Sequence, residues 1–221
     1  MARIVWDEDS KRLYETGVDR GVLYPRVSGE YSTGVPWNGL TAVSESPSGA
    51  EATDLYADNI KYLSMRSAET FSCTIEAYTY PKEFEACDGT ASIATGVTIG
   101  QQDRTPFGFC YRTLIGNDTE GQGHGYKIHI IYGCTASPSE RSYQTVNDSP
   151  EAITFSWEVN TTPINVTGHK PTACLIIDST LVDSEKLTKL ENALYGDSSG
   201  DGPKLLTPDE VIAIIGAGVG G

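Results

Sequence analysis

Ala152-Ile153-Thr154-Phe155-Ser156-Trp157-Glu158-Val159-Asn160 alternates strictly between apolar and polar residues. Ile153, Phe155, Trp157 and Val159 point one way; Thr154, Ser156, Glu158 and Asn160 point the other. A period of two with one buried and one wet face marks a strand of an antiparallel sheet. Phe71 to Tyr80 repeats it, with Phe71, Cys73, Ile75 and Ala77 on one face and Ser72, Thr74 and Glu76 on the other. Phe107 to Ile115 and Tyr126 to Cys134 follow the alternation less strictly. Ala173 to Ile177 is apolar on both faces and reads as a central strand.

Upstream, Gly21 to Val27 reads as a short strand ended by turn residues. Trp37 to Glu45 and Leu55 to Arg66 read as two strands of a long hairpin. Ser46-Pro47-Ser48-Gly49-Ala50 between them is dense in turn residues and gives that hairpin a polar tip, the loop 44–54. Residues 1–20 have no clean period and read as an N-terminal arm. Helices are few. Pro81 to Cys87 carries Pro at a first helical position and predicts two turns. Ser184 to Tyr195 places Leu187, Leu190 and Leu194 on one stripe. Thr207-Pro208-Asp209-Glu210 is a capping box opening a helix through Ile215.

These elements predict a mainly β fold with flanking helices. Two packed, largely antiparallel sheets form a β-sandwich or barrel-like domain over 21–178, with one short helix inside it. A C-terminal extension over 179–221 carries two helices and a Gly-rich tail. That tail, Gly216 to Gly221, has the glycine spacing of a dinucleotide fingerprint without the following helix that holds pyrophosphate, and reads as a tail only.

Composition narrows the function. The 221 residues are 38% hydrophobic with 23 glycines, enough for a packed core. Thirty acids against 16 bases give a net charge of −14, which disfavours a reader of phosphate backbones. No Lys or Arg falls between Arg26 and Lys61, while Glu30, Glu45, Glu51, Asp54 and Asp58 do. Such a run is ordinarily a solvated face; the sharper reading is a surface that repels a polyanion, with Glu51, Asp54 and Asp58 as its candidate acids. The start of the chain lacks an apolar leader, and no apolar run approaches a membrane span, so no membrane segment is expected. Five cysteines, odd in number and widely spaced, predict reduced, mostly buried thiols. The Asn-x-Ser/Thr sequons at Asn117, Asn147, Asn160 and Asn165 are read as chance.

Catalytic patterns are missing. His124 falls in a glycine-rich loop, His129 on a strand and His169 before Lys170-Pro171; none has a metal-ligand neighbour at i+2 to i+4. Neither a nucleophile elbow, a P-loop nor a Cys-x-x-Cys occurs. Asp197, Asp201 and Gly202 fail as a calcium loop because Ser199 and Pro208 stand at ligand positions. No catalytic residue, cofactor or metal is therefore expected, and 12 tyrosines suit a protein that makes surfaces.

Nine strings, in order, carry a resemblance. They are Tyr14-Glu15-Thr16-Gly17-Val18-Asp19-Arg20-Gly21-Val22-Leu23-Tyr24, Val35-Pro36-Trp37-Asn38-Gly39-Leu40 and Glu45-Ser46-Pro47-Ser48-Gly49-Ala50-Glu51. Next come Leu55-Tyr56-Ala57-Asp58-Asn59-Ile60-Lys61-Tyr62, Thr74-Ile75-Glu76-Ala77-Tyr78-Thr79-Tyr80-Pro81 with Phe84, and Arg112-Thr113-Leu114-Ile115-Gly116-Asn117-Asp118-Thr119. The last are Ala136-Ser137-Pro138-Ser139-Glu140-Arg141-Ser142-Tyr143, Ser149-Pro150-Glu151-Ala152-Ile153-Thr154-Phe155-Ser156-Trp157 and Pro208-Asp209-Glu210-Val211. Over about residues 11–215 the chain resembles the major tail protein family of long-tailed bacteriophages of Gram-positive hosts. The glycine tail 216–221 departs from anything the family pattern guides.

The resemblance implies two packed sheets flanked by a helix, hexameric rings, and stacking of the rings into a hollow, non-contractile tail tube. It implies a virion protein made in the host cytoplasm. Its partners are copies of itself, the tape-measure protein, the tail terminator and distal tail or baseplate proteins, and genomic DNA passes through unbound. Six copies would carry about −84 per ring, a field screened beyond about 8–10 Å at physiological salt. Ser46, Pro47, Ser48, Gly49 and Ala50 are then the candidate contact loop between subunits or rings. Two alternatives stand beside this: a virion adhesin or carbohydrate-binding module using Trp37 and Tyr143 as sugar platforms, and a hydrolase with an unrecognised site.

Overall fold

The computed structural model of the chain describes residues 3–146, 148, 151–197, 200 and 202–216. The glycine tail beyond Gly216, the sequon at Asn147, and Ser199 and Asp201 lie outside the described residues. The strands in chain order are β1 (Tyr14–Val27), β2 (Glu30–Tyr31), β3 (Val35–Trp37), β4 (Leu40–Glu45), β5 (Ser48–Gly49), β6 (Ala52–Ala57), β7 (Ile60–Arg66), β8 (Glu69–Thr70) and β9 (Ser72–Ala77). They continue with β10 (Ala91–Ala94), β11 (Val97–Ile99), β12 (Phe107–Asn117), β13 (Gly121–Ala136), β14 (Phe155–Thr161) and β15 (Cys174–Asp178). The helices α1 (Ser184–Tyr195) and α2 (Pro208–Ile215) follow. The fold is mainly β and antiparallel, with flanking helices.

Two layers are built from one hydrogen-bonded path, β2-β1-β12-β13-β14-β9-β4, with β15 on β13 and β3 on β1. The first layer is β1, β12, β13 and β15; the second is β14, β9 and β4. The long strand β13 belongs to both. Its residues Lys127 to Ile131 pair with β15, and its end, Cys134 to Ala136, pairs with β14. Gly133 sits between those two stretches at φ 58°, and a Cβ there would lie 2.2 Å from the Thr162 carbonyl oxygen. Only glycine permits the strand to turn the corner so close to that backbone.

Between the layers lies an aromatic core. Trp37, Phe84, Phe107, Phe109 and Trp157 are buried there with Ile75, Ile131 and Val159. Phe84 approaches Trp37 at 4.5 Å and Trp157 at 5.2 Å between ring centroids, and Trp37 donates its indole N–H to the Thr79 carbonyl at 2.9 Å. The segment Pro81 to Cys87 makes one 3-10 turn, Lys82–Phe84, in place of the two helical turns predicted, because Phe84 is drawn into this core.

The opposite face of the first layer is covered by the helices. Val22, Tyr24, Cys110, Ile128, Ile130 and Tyr132 pack against Leu190, Leu194, Leu205, Leu206 and Val211. Tyr24 donates to the Leu194 carbonyl at 2.6 Å and Tyr132 to that of Leu206 at 2.8 Å. The predicted leucine stripe on α1 and the capping box on α2 are both present, and Lys186 Nζ reaches the Ile215 carbonyl at 2.6 Å to tie the helices together.

Several boundaries move. The first strand begins at Tyr14, so the last third of the expected arm is sheet, pairing Tyr14 with Gly116. β15 is an edge strand, paired among the described residues with β13 alone, not a central one. Its apolar character is explained by Leu175 and Ile177 packing under the helices, while Ile176 is 51% exposed. The small exposed hairpin β10–β11 was not anticipated.

Gly133→Ala is expected to lower unfolding stability by about 2 kcal/mol or more, because positive φ and a backbone clash combine. Thr207→Ala, which breaks the capping box, should cost about 1 kcal/mol. Urea denaturation followed by tryptophan fluorescence measures both.

Candidate functional site

β4 crosses the first layer from one edge to the other. At its start Leu40 packs against Gly21 of β1. At its end the Glu45 carboxylate accepts from Tyr111 Oη at 2.7 Å, lies 3.2 Å from His129 Nδ1, and takes a 3.9 Å contact from Cys174 Sγ. There the chain leaves the sandwich and returns only at Phe71. Residues 46–71 form a projecting two-stranded ribbon: a short stem, β5 with β8, and an outer blade, β6 with β7.

This replaces the expected hairpin. β4 pairs with β9 (Val43 with Ile75, Glu45 with Cys73), not with the stretch Leu55 to Arg66. The long-range pairing wins because it puts Cys73, Ile75 and Ala77 into the core. Ser46, Pro47, Ser48, Gly49 and Ala50 consequently lie in the root and stem, not at a tip. Ser46 N–H bonds the Ser72 carbonyl at 2.8 Å, and Ser48 Oγ meets Thr70 Oγ1 at 2.8 Å. Gly49 and Ala50 both have positive φ (87° and 58°), and a Cβ at Gly49 would meet the Ala68 carbonyl oxygen at 2.6 Å. They form a bend between stem and blade. The true tip is Asp58-Asn59, both at positive φ, the signature of a type I′ turn.

The blade is amphipathic. Cross-strand partners share a face: Leu55 with Leu63, Thr53 with Met65, and Ala57 with Ile60 make an apolar side. Ala52 with Arg66, and Asp54 with Ser64, make the polar side, joined by Lys61, whose Nζ is 2.8 Å from Asp54 Oδ1. Ile60 is 65% exposed and Met65 59%, and every residue of β7 faces solvent. An isolated two-stranded hairpin is marginal in water, and a row of exposed apolar side chains on one marks a contact surface.

The three candidate acids all fall on this ribbon. Glu51 is exposed between stem and blade, Asp58 is at the tip, and Asp54 is on the polar side. The Lys61 ammonium, then the Ser64 hydroxyl, hold the Asp54 carboxyl below its ordinary value. Asp54 is therefore a neutralised acid, unlike Glu51 and Asp58, for which no ion pair appears among the described residues.

Other chemistry is sparse. A cleft of about 620 Å³ is lined chiefly by Val18, Arg20, Trp37, Leu40, Tyr195 and Pro203, and no histidine, cysteine, serine or threonine lines it. Its acid, Asp19, is held by Arg112 in a two-pronged ion pair at 2.6 and 2.7 Å. Trp37, one of the proposed sugar platforms, is 2% exposed and belongs to the core; Tyr143 is exposed. His124 lies on β13, bonded to Glu120 and Asn117, not in a free loop. Four cysteines are buried and Cys174 is half-buried; burial pushes the thiols of Cys73, Cys87, Cys110 and Cys174 up to about 12. Among the described residues no group of three His, Cys, Asp or Glu side chains is arranged to hold a metal ion, and no helix is long and apolar enough to cross a membrane.

Because their side chains touch water and not the core, Leu63→Lys and Met65→Lys should each change the unfolding free energy by no more than about 0.5 kcal/mol. Chemical denaturation of the purified chain checks this.

No protein-family model matches the chain, and no curated protein matches it.

Proposed function

We propose that the chain is the repeating subunit of a phage tail tube, a virion protein whose copies close into hexameric rings that stack into a hollow conduit for DNA. The observation that carries this reading is the projecting ribbon Ala52–Arg66, whose apolar side of Leu55, Ile60, Leu63 and Met65 is exposed among the described residues. A ribbon reaching from one copy to a different surface on the next makes a heterologous contact, the kind that closes into rings or propagates without limit. The outer edge of β15 has no strand partner among the described residues and adds a second valence, since an open strand edge pairs readily with another chain. The net charge of −14 agrees with a conduit that lets a polyanion slide past. The nine-string resemblance to phage major tail proteins supplies the ring and tube geometry of this proposal. It also supplies the proposed partners: the tape-measure protein, the tail terminator and the distal tail or baseplate proteins.

Purified protein, concentrated and viewed by negative-stain electron microscopy, should form rings or tubes. The Leu63→Lys, Met65→Lys double variant should stay folded and unassembled. Monodisperse monomers of the native chain at every concentration, alone or with virion partners, would overturn the reading.

The bore charge has its own test. Glu51→Lys with Asp58→Lys should give assemblies that retain DNA in a salt-dependent way, read by co-sedimentation at low and high salt. Absence of DNA retention removes these two acids from the channel wall and leaves self-assembly untouched.

A further inference from the structure

Glu45 stands at a mechanical junction. It is the last residue of β4, and the ribbon begins at the next residue. Its carboxylate is planted on the first layer by three strands at once: Tyr111 from β12, His129 from β13 and Cys174 from β15. Cys73, its register partner on β9, faces it from the second layer. Nothing in the self-assembly reading uses this cluster.

We propose that Glu45, Tyr111 and His129 form an acid-released latch that fixes the root of the ribbon to the sandwich. The geometry sets how it responds. The His129 ring stacks flat on Tyr111, with centroids 4.6 Å apart and planes 7° apart, so it has little freedom to swing. Its Nδ1 faces the Glu45 carboxylate, which can only accept, so the bond between them is donated by Nδ1; its Nε2 lies 3.0 Å from Thr113 Oγ1. A hydroxyl donates or accepts. Thr113 Oγ1 can therefore serve Nε2 in either role, and it holds the far side of the ring in place. The carboxylate has no such second option. Once protonated it loses the charge that strengthens the bonds from Tyr111 and His129.

The sign follows from the direction of the shift. Bonding from His129, and then from Tyr111, holds the Glu45 carboxyl below its ordinary value despite partial burial. A depressed carboxyl stabilises the closed form above the ordinary glutamate range, and that contribution disappears as pH falls through the depressed value. The latch is closed at neutral pH and opens in acid. Opening releases the last pair of the β4–β9 ladder, Glu45 with Cys73, and with it the stem held by Ser46, Ser48, Thr70 and Ser72.

Hydrogen–deuterium exchange on the dissociated full-length subunit tests this apart from assembly. Rates are corrected for intrinsic chemistry and followed from pH 7 downward. In the native chain, protection at 44–48 and 70–74 should vanish at a higher pH than protection at 128–136 in the core. At pH 7, Glu45→Gln should exchange about ten-fold faster at the root with the core unchanged. Tyr111→Phe keeps the ring stack and removes one donor, and should give a smaller increase at the same peptides. Root protection in both variants equal to that of the native chain at pH 7, or loss of root and core protection at one pH in the native chain, would overturn the latch.

Discussion

Trp37, Phe84 and Trp157 meet between the two layers, and the placement of nearly everything else depends on that meeting. Trp157 comes from β14, Trp37 from β3, and Phe84 from the 3-10 turn after β9. Each aromatic removes a large apolar area from water, and each edge-to-face pair adds about 0.5–1.5 kcal/mol beyond burial. Three distant segments are thereby brought to one point. Once β3 and the turn after β9 are fixed, β4 has a single course left, from Gly21 across the first layer to His129. That course delivers Glu45 to β12, β13 and β15, and aims the ribbon off the side of the sandwich.

The alternating stretches were legible because water covers one of their faces. Val159 and Cys73 bury on one side of β14 and β9 while Glu158 and Thr74 remain wetter on the other, so period two survives in the sequence. β12 and β13 lose that signal for a physical reason. Their inner face meets the second layer and their outer face meets α1 and α2, so Phe107 to Tyr111 and Ile128 to Cys134 are buried residue after residue. The helices were legible from Leu190 and Leu194 on one stripe and from the Thr207–Glu210 box, because capping and amphipathicity are local.

The ribbon was half legible. Leu55 to Arg66 contains a strand, and Ser46 to Ala50 is a departure from the sheet. What local pattern could not supply was the partner of β4. A nearby strand is the default partner in sequence, yet pairing β4 with β7 would leave β9 paired on its β14 side alone, with its other edge open beside Ile75 and Cys73. The pairing chosen joins Val43 to Ile75 across 31 intervening residues that include the self-paired blade, and it is dictated by burial far from the turn residues. The Glu45–Tyr111–His129 cluster was invisible for the same reason. Its members are separated by 66 and 84 residues, and each alone looks like an ordinary surface acid, core tyrosine or strand histidine.

An amphipathic blade on a chain of charge −14 sets two forces against each other. The long-range charge keeps copies apart in dilute, low-salt solution, but it is screened within about 8–10 Å at physiological salt. The apolar contact acts only at touching distance and is indifferent to salt. Asp54 and Lys61 cancel locally on the blade's polar side, so the blade itself carries less repulsion than the rest of the chain. The surface best suited to contact is thus also the one where like-charge repulsion has been partly removed. A chain built this way resists random clustering through its general charge, and the assembly we propose would use the ribbon for its one geometry of approach.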